Sequence, residues 1–208
     1  MSLVIIRHHE SEWNKLGKWT GTRDVHLTEY GFKMSKEMGK LIKDIKFDYT
    51  FASGQIRTFE TLLMILDSID QLGIPPMERS DAINERDYGD YTGKNKWDMK
   101  QTLGDQFDCV RRDWNCPVPH GETLKMVYDR AVPYYLSTIK PLVNEGKNVL
   151  VVAHGNSIRA MLKYIENISD DGIRDVEMIF GGVLIYDIDK DGKMIKKEVR
   201  QVESKVNA

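Results

Sequence analysis

Two apolar runs, Leu3-Val4-Ile5-Ile6 and Val149-Leu150-Val151-Val152-Ala153, each lead into a histidine: His8, preceded by Arg7, and His154. Runs of this length, apolar throughout rather than alternating, predict strands buried on both faces, as in a parallel sheet. In such sheets ligands bind beyond the carboxyl ends of the strands, so both histidines are expected at one edge of the molecule. With Arg7 before the first and Gly155-Asn156-Ser157 after the second, that edge suits a phosphoryl group held between two imidazoles and a guanidinium.

Between and beyond these runs, apolar stretches alternate with helical patterns. Residues 28–43 read as a helix capped by Thr28, and residues 49–52 as a second strand. Ser53 is expected to cap a helix over residues 56–72, stopped by Gly73 and Pro75-Pro76. Residues 79–105 show weak periodicity and read as loop with short helical pieces. Residues 122–144 read as a long helix bent or broken near Pro133 and Pro141, and residues 157–165 as a helix capped by Ser157. Residues 183–188 and 194–199 flank Asp189-Lys190-Asp191-Gly192, a hairpin signal. The alternation predicts an α/β fold, a mainly parallel central sheet flanked by helices, with an antiparallel strand near the C-terminus.

The chain of 208 residues fits one domain, residues 1–208, with no repeat to suggest an array. Its formal net charge of −2 supplies no general field for nucleic acid or an anionic membrane, so any anion site must be local. Neither a signal peptide nor a membrane span is expected from the first residues, and a cytoplasmic location is the natural expectation. The two cysteines, Cys109 and Cys116, are expected to be reduced thiols, and the five histidines show no metal-ligand spacing. Nothing in the sequence decides between a monomer and a homo-oligomer.

The chemistry-bearing residues lie in separate segments. Arg7-His8-His9-Glu10-Ser11-Glu12-Trp13-Asn14 is followed by Trp19-Thr20-Gly21. A neutral imidazole is a competent nucleophile toward phosphorus, and a guanidinium offers fixed donors to phosphate oxygens. Arg57 falls at a helix start, where backbone N–H groups also favour an anion. Asn84-Glu85-Arg86-Asp87-Tyr88-Gly89 places a carboxylate and a phenol in a loop, and Gly93-Lys94-Asn95-Lys96 and Arg111-Arg112 add cations. Singly, each has a plain explanation as a sheet cap or a solvated charge. Together they supply nucleophile, phosphate clamp, acid/base and carboxylate-binding cations for one small, doubly anionic substrate.

Through these segments the chain resembles the histidine phosphatase superfamily and, within it, the cofactor-dependent phosphoglycerate mutases. The Arg-His pair and His154 are general to the superfamily. Ser11-Glu12-Trp13-Asn14, the loop at residues 84–89, Lys96, Arg111-Arg112 and Ala153-His154-Gly155-Asn156-Ser157-Ile158-Arg159-Ala160 match the mutase pattern. The resemblance implies a three-layer sandwich and a glycolytic and gluconeogenic isomerase acting on small phosphorylated three-carbon acids. It implies that His8 is phosphorylated, with 2,3-bisphosphoglycerate as the priming phosphoryl donor and no metal. Arg7, Arg57, His154 and the Gly155 backbone would hold the transferring group, and Glu85 would be the general acid/base. Asn14, Thr20, Gly21, Tyr88, Lys96, Arg111, Arg112 and Asn156 would position the rest of the ligand.

The chain departs from the pattern in places. His9 stands where the family has glycine, and its ring is expected at the pocket rim or away from the phosphate. Residues 113–121 and the tail after residue 199 are short, and Phe180-Gly181-Gly182-Val183 replaces a Thr-Gly-Val/Ile-Pro pattern, which implies a less covered pocket. Two other readings are a broad-specificity histidine phosphatase, in which water accepts the phosphoryl group, and a non-catalytic phosphate-site regulatory protein. Glu85-Arg86, Lys96 and Arg111-Arg112 weigh against the first, and intact His8, Arg57, Glu85 and His154 against the second.

Overall fold

The computed structural model describes residues 2–189 and 193–205. Strand β1 (Ser2–Arg7) is followed by a short capped helix, α1 (Glu12–Lys15), and by α2 (Glu29–Lys40). Thr28 caps α2 as expected, its hydroxyl accepting from Gly31 N. Then come β2 (Tyr49–Ser53), α3 (Ile56–Ser68) and β3 (Met77–Ser80). An arm outside the sheet carries α4 (Lys96–Leu103) and α5 (Gln106–Arg112). The chain returns through α6 (Leu124–Tyr134), a π-helical turn over Tyr135–Ile139, and α7 (Lys140–Asn144), so the expected long helix is indeed broken in its Pro133 to Pro141 region. Strand β4 (Val149–Ala153), helix α8 (Gly155–Ile165), and strands β5 (Gly182–Ile188) and β6 (Met194–Gln201) complete it.

The six strands form one sheet in the order β3-β2-β4-β1-β5-β6. The first four are mutually parallel, while β5 and β6 run antiparallel at one side. Leu3, Val4, Ile5 and Ile6 are all fully buried because β1 is central and covered on both faces. Alternation sends Leu3, Ile5, Val149 and Val151 into one layer with Leu124, Val127, Ile158 and Met161. Val4, Ile6, Leu150 and Val152 enter the opposite layer with Met38, Leu62, Ile65 and Leu66. This is the expected helix-sheet-helix sandwich. A third cluster, built on Trp19 with Tyr88, Phe107, Val110 and Cys116, forms the core of the arm.

The structure corrects several local expectations. Ser53 does not cap α3: Gln55 holds that position, and the Ser53 hydroxyl turns to His154 and Thr58. Ser157 is the third residue of α8, with His154 as the cap, because the helix begins directly after the strand. β3 falls on a stretch with no apolar pattern, being a four-residue edge strand with largely exposed side chains. Cys109 and Cys116 are joined by a disulfide with Cα atoms 5.7 Å apart, not reduced thiols: the chain reverses after α5 and brings Cys116 back beside the helix. The hairpin tip at residues 190–192 lies outside the described residues.

Candidate active site

The register Arg7↔Ala153 between parallel β1 and β4 sets the two histidines side by side, with His8 N donating to Ala153 O at 3.0 Å. Their rings meet edge to face, centroids 4.9 Å apart. His8 Nδ1 donates to the carbonyl of His9 at 2.7 Å, which leaves Nε2 with its lone pair directed at the cleft. Burial, then the charges of Arg57 and Arg7, push the His8 pKa well below its ordinary value. The neutral form of the ring is therefore favoured. His154 is lowered for the same leading reason, burial, followed by Arg57 and His8. Its Nε2 lies 2.7 Å from Ser53 Oγ, and its buried Nδ1 has no protein partner.

Arg57, in the first turn of α3, is aimed by the carbonyls of Arg23 and Gly21, to which Nη1 and Nη2 donate at 2.9 and 3.1 Å. Burial brings its pKa down to about 10, which still leaves it charged. Arg7 donates to Met178 O at 2.5 Å and lies 3.8 Å above the Phe180 ring, and its buried Nε is unpartnered. Gly21 adopts φ +54°, and a Cβ there would meet Thr92 Oγ1 at 3.0 Å, so glycine lets this loop approach the others.

Glu85 is buried at the same cleft. Its Oε1 accepts from Arg86 N at 2.8 Å and Asn156 N at 3.2 Å, while its own N–H donates to Gln55 Oε1 at 2.8 Å. Gln55 also donates to Gly21 O at 3.0 Å, so one amide ties three chain segments around the carboxylate. Gly155 and Asn156 begin α8, and a Cβ on Gly155 would lie 3.6 Å from Arg7 Cζ. Asn156 Nδ2 donates to Tyr88 OH at 2.9 Å, and Tyr88 stacks on Trp19 with centroids 5.4 Å apart.

The far wall comes from the arm. Lys96 opens α4 behind its cap Asn95, and burial, then Arg7 and Arg111, lower its pKa to about 8. Arg111 and Arg112 end α5. Arg159 of α8 donates to the carbonyls of Arg111 at 3.3 Å and Arg112 at 2.6 Å. Arg86 is fully buried and turned away from the cleft, donating to Val110 O at 2.7 Å and Cys116 O at 3.1 Å. It is a strut for the α5 loop and does not line the cleft.

One cleft is lined by Arg7, His8, Arg57 and Glu85 together with Asn14, Thr20, Gly21, Tyr88, Lys96, Arg111, Arg112, Gly155 and Asn156. His154 joins it through its ring contact with His8. Sequence reasoning gave no site role to Lys18, Trp19, Arg159, Glu177 and Met178, which also line it. Arg159 lies inside a motif already singled out, whereas nothing marks Glu177 or Met178, which sit in an irregular segment. His9 is fully buried against Tyr30 and Phe180, at 5.4 and 5.6 Å between centroids, outside the cleft lining. Burial, then Arg7, lowers its pKa to about 4. Among the described residues no three His, Cys, Asp or Glu side chains cluster as metal ligands, and no helix is long and apolar enough to cross a membrane.

The sequence pattern of the histidine phosphatase superfamily (branch 1) matches residues 3–200. A 2,3-bisphosphoglycerate-dependent phosphoglycerate mutase of Parvibaculum lavamentivorans is 38% identical over 200 residues, 95% of each chain. A phosphoglycerate mutase of Schizosaccharomyces pombe is 42% identical over 202 residues, 95% of this chain and 94% of the other. Among solved structures, Bacillus stearothermophilus YhfR superposes with a TM-score of 0.80 at 24% identity, covering 93% of each chain. A mycobacterial glucosyl-3-phosphoglycerate phosphatase gives 0.78 at 17%, over 96% of this chain and 97% of its own. The likeness thus extends from the strand that leads into His8 to the last strand of the sheet, and the chain belongs to the histidine phosphatase superfamily, among its phosphoglycerate mutases.

Proposed function

We propose that this single-domain chain interconverts 3-phosphoglycerate and 2-phosphoglycerate through phospho-His8. The observation that carries the reading is the second cationic wall: Lys96, Arg111 and Arg112 face the same cleft as His8 and Glu85. A phosphomonoesterase needs a clamp for the phosphate alone, whereas a phosphorylated acid brings a carboxylate to be held at a distance from phosphorus.

With His8 phosphorylated, Glu85 takes the proton from the free hydroxyl of the bound monophosphate, whose oxygen attacks phosphorus as the N–P bond breaks and frees Nε2. Nε2 then attacks the phosphorus of the other ester, re-forming the N–P bond as that P–O bond breaks, and Glu85 in its acid form returns the proton to the departing alkoxide. Arg7, Arg57 and the N–H groups at the start of α8 offset charge on the equatorial oxygens. With Ser53 donating to Nε2, His154 presents Nδ1–H to the same group.

The residues fit 2,3-bisphosphoglycerate, for Arg7 Nε, Thr20 Oγ1 and His154 Nδ1 are buried polar atoms without protein partners around a cation-lined cleft. Arg7, Arg57 and His154 would hold one of its phosphates and Lys96, Arg111 and Arg112 its other anionic groups. When bound, it supplies the phosphoryl group that primes His8. The test is conversion of 3-phosphoglycerate, with and without added 2,3-bisphosphoglycerate, alongside hydrolysis of simple phosphate esters. Bisphosphate-stimulated isomerisation is expected, and hydrolysis without isomerisation would overturn the reading.

A further inference from the structure

Two carboxylates line the cleft, and the chemistry above uses only Glu85. The other, Glu177, places Oε1 2.9 Å from Arg112 Nη2. It is not a stray surface charge. Its segment is braced against the α5 loop a second time by Arg174 and Asp113 at 3.4 Å, and the next residue, Met178, takes the Arg7 hydrogen bond through its carbonyl. The Glu177 side chain is 39% exposed and that of Arg112 24%, so the pair stands at the mouth where a ligand enters.

A cleft rich in arginine and lysine would retain any polyanion, including inorganic ones, and slow its release. We propose that Glu177 is a specificity-determining residue that competes with the ligand carboxylate for Arg112, limiting affinity for doubly anionic ligands while leaving the phosphate clamp untouched. The inference rests on the reading that Arg112 receives the carboxylate of a phosphorylated acid. A ligand without that carboxylate leaves the Arg112–Glu177 pair in place, so the cost falls only on the acid.

The experiment compares calorimetric binding of 3-phosphoglycerate and of glycerol 3-phosphate, which lacks the carboxylate, in the wild type, Glu177→Gln, Arg112→Ala and the double variant. Glu177→Gln should tighten 3-phosphoglycerate about two- to fivefold, the range of a partly exposed ion pair, and change glycerol 3-phosphate less than twofold. In the Arg112→Ala background the substitution should have no further effect. Equal shifts for both ligands would show that Glu177 merely braces its segment, and no shift for either would show that the pair does not compete. Both outcomes overturn the proposal. Failure of the wild type to bind 3-phosphoglycerate would instead overturn the mutase reading on which it rests.

Discussion

Arg57 Nε lies 3.4 Å from Nε2 of His8, the ring nitrogen left unprotonated by the bond from Nδ1 to the His9 carbonyl. In the proposed mechanism the guanidinium waits at the position through which phosphorus passes, and it faces the equatorial oxygens once the N–P bond forms. Arg57→Gln should slow phosphorylation of His8 by ~10²–10³-fold, the usual loss for one oriented donor at a developing anion. His8→Ala should abolish the acid-labile phosphoenzyme altogether. Rapid-quench measurement of labelled protein checks both, and a variant phosphorylated at the wild-type rate would remove Arg57 from the chemistry.

Glu85 is held by Arg86 N and Asn156 N through a single oxygen, leaving Oε2 toward the cleft, where a Cβ on Gly155 would be 3.9 Å away. Glu85→Gln keeps an acceptor for those two bonds but cannot move a proton. Turnover should drop by ~10²–10⁴-fold with KM changed little. Steady-state kinetics decide between this and a structural carboxylate, for which the amide would be nearly silent.

His9 gives a stability prediction whose sign follows from its pKa of about 4, below the roughly 6.5 of an unfolded histidine. The unfolded chain binds more protons between those values, so this contribution is whole above pH 6.5 and lost as pH falls toward and through 4. His8 and His154, also lowered, act in the same direction. His9→Phe should lessen the acid loss of unfolding free energy by about 3 kcal/mol between pH 6.5 and 4. Urea titrations at several pH values test it, and parallel curves for the two proteins would contradict it. For the same reason the KM ratio of His9→Gly to wild type should stay constant from pH 6 to 8.

The Cys109–Cys116 bridge closes the loop that displays Arg111 and Arg112. Dithiothreitol, or Cys116→Ser, should lower stability by about 2–3 kcal/mol through loss of the short loop closure. KM for 3-phosphoglycerate should rise while the rate of His8 phosphorylation within the bound complex holds, since Arg7 and Arg57 lie on other elements. A drop in that rate with KM unchanged would place the effect elsewhere.

The parts of the site legible in the sequence are those fixed by strand ends. Arg7, His8 and His154 could be placed because buried parallel strands carry an unmistakable apolar pattern and neighbouring strand ends share an edge. The position of Arg57 at the start of α3 was equally readable, although Gln55 and not Ser53 caps that helix. What escaped were features set by long-range packing. Arg86 reads as one more cation until its guanidinium is seen spent on Val110 and Cys116 carbonyls. β3 owes its form to pairing with β2 and not to its own exposed residues. The disulfide depends on the reversal after α5, which seven residues of spacing cannot reveal.

The central position of β1 has a consequence for how the chain acquires its activity. The strand that leads into His8 has β4 on one side and β5 on the other, so its first hydrogen-bonding partner does not exist until residues 149–153 have been made and its second until residues 182–188 have. Closing so large a loop is entropically costly, and pairings of this sequence separation form late. An incompletely folded chain therefore holds an apolar strand with both edges open, the condition in which strands pair wrongly. Recovery of phosphoryl transfer during refolding should coincide with the last long-range pairing of the sheet, which makes enzymatic activity a sensitive measure of folding yield.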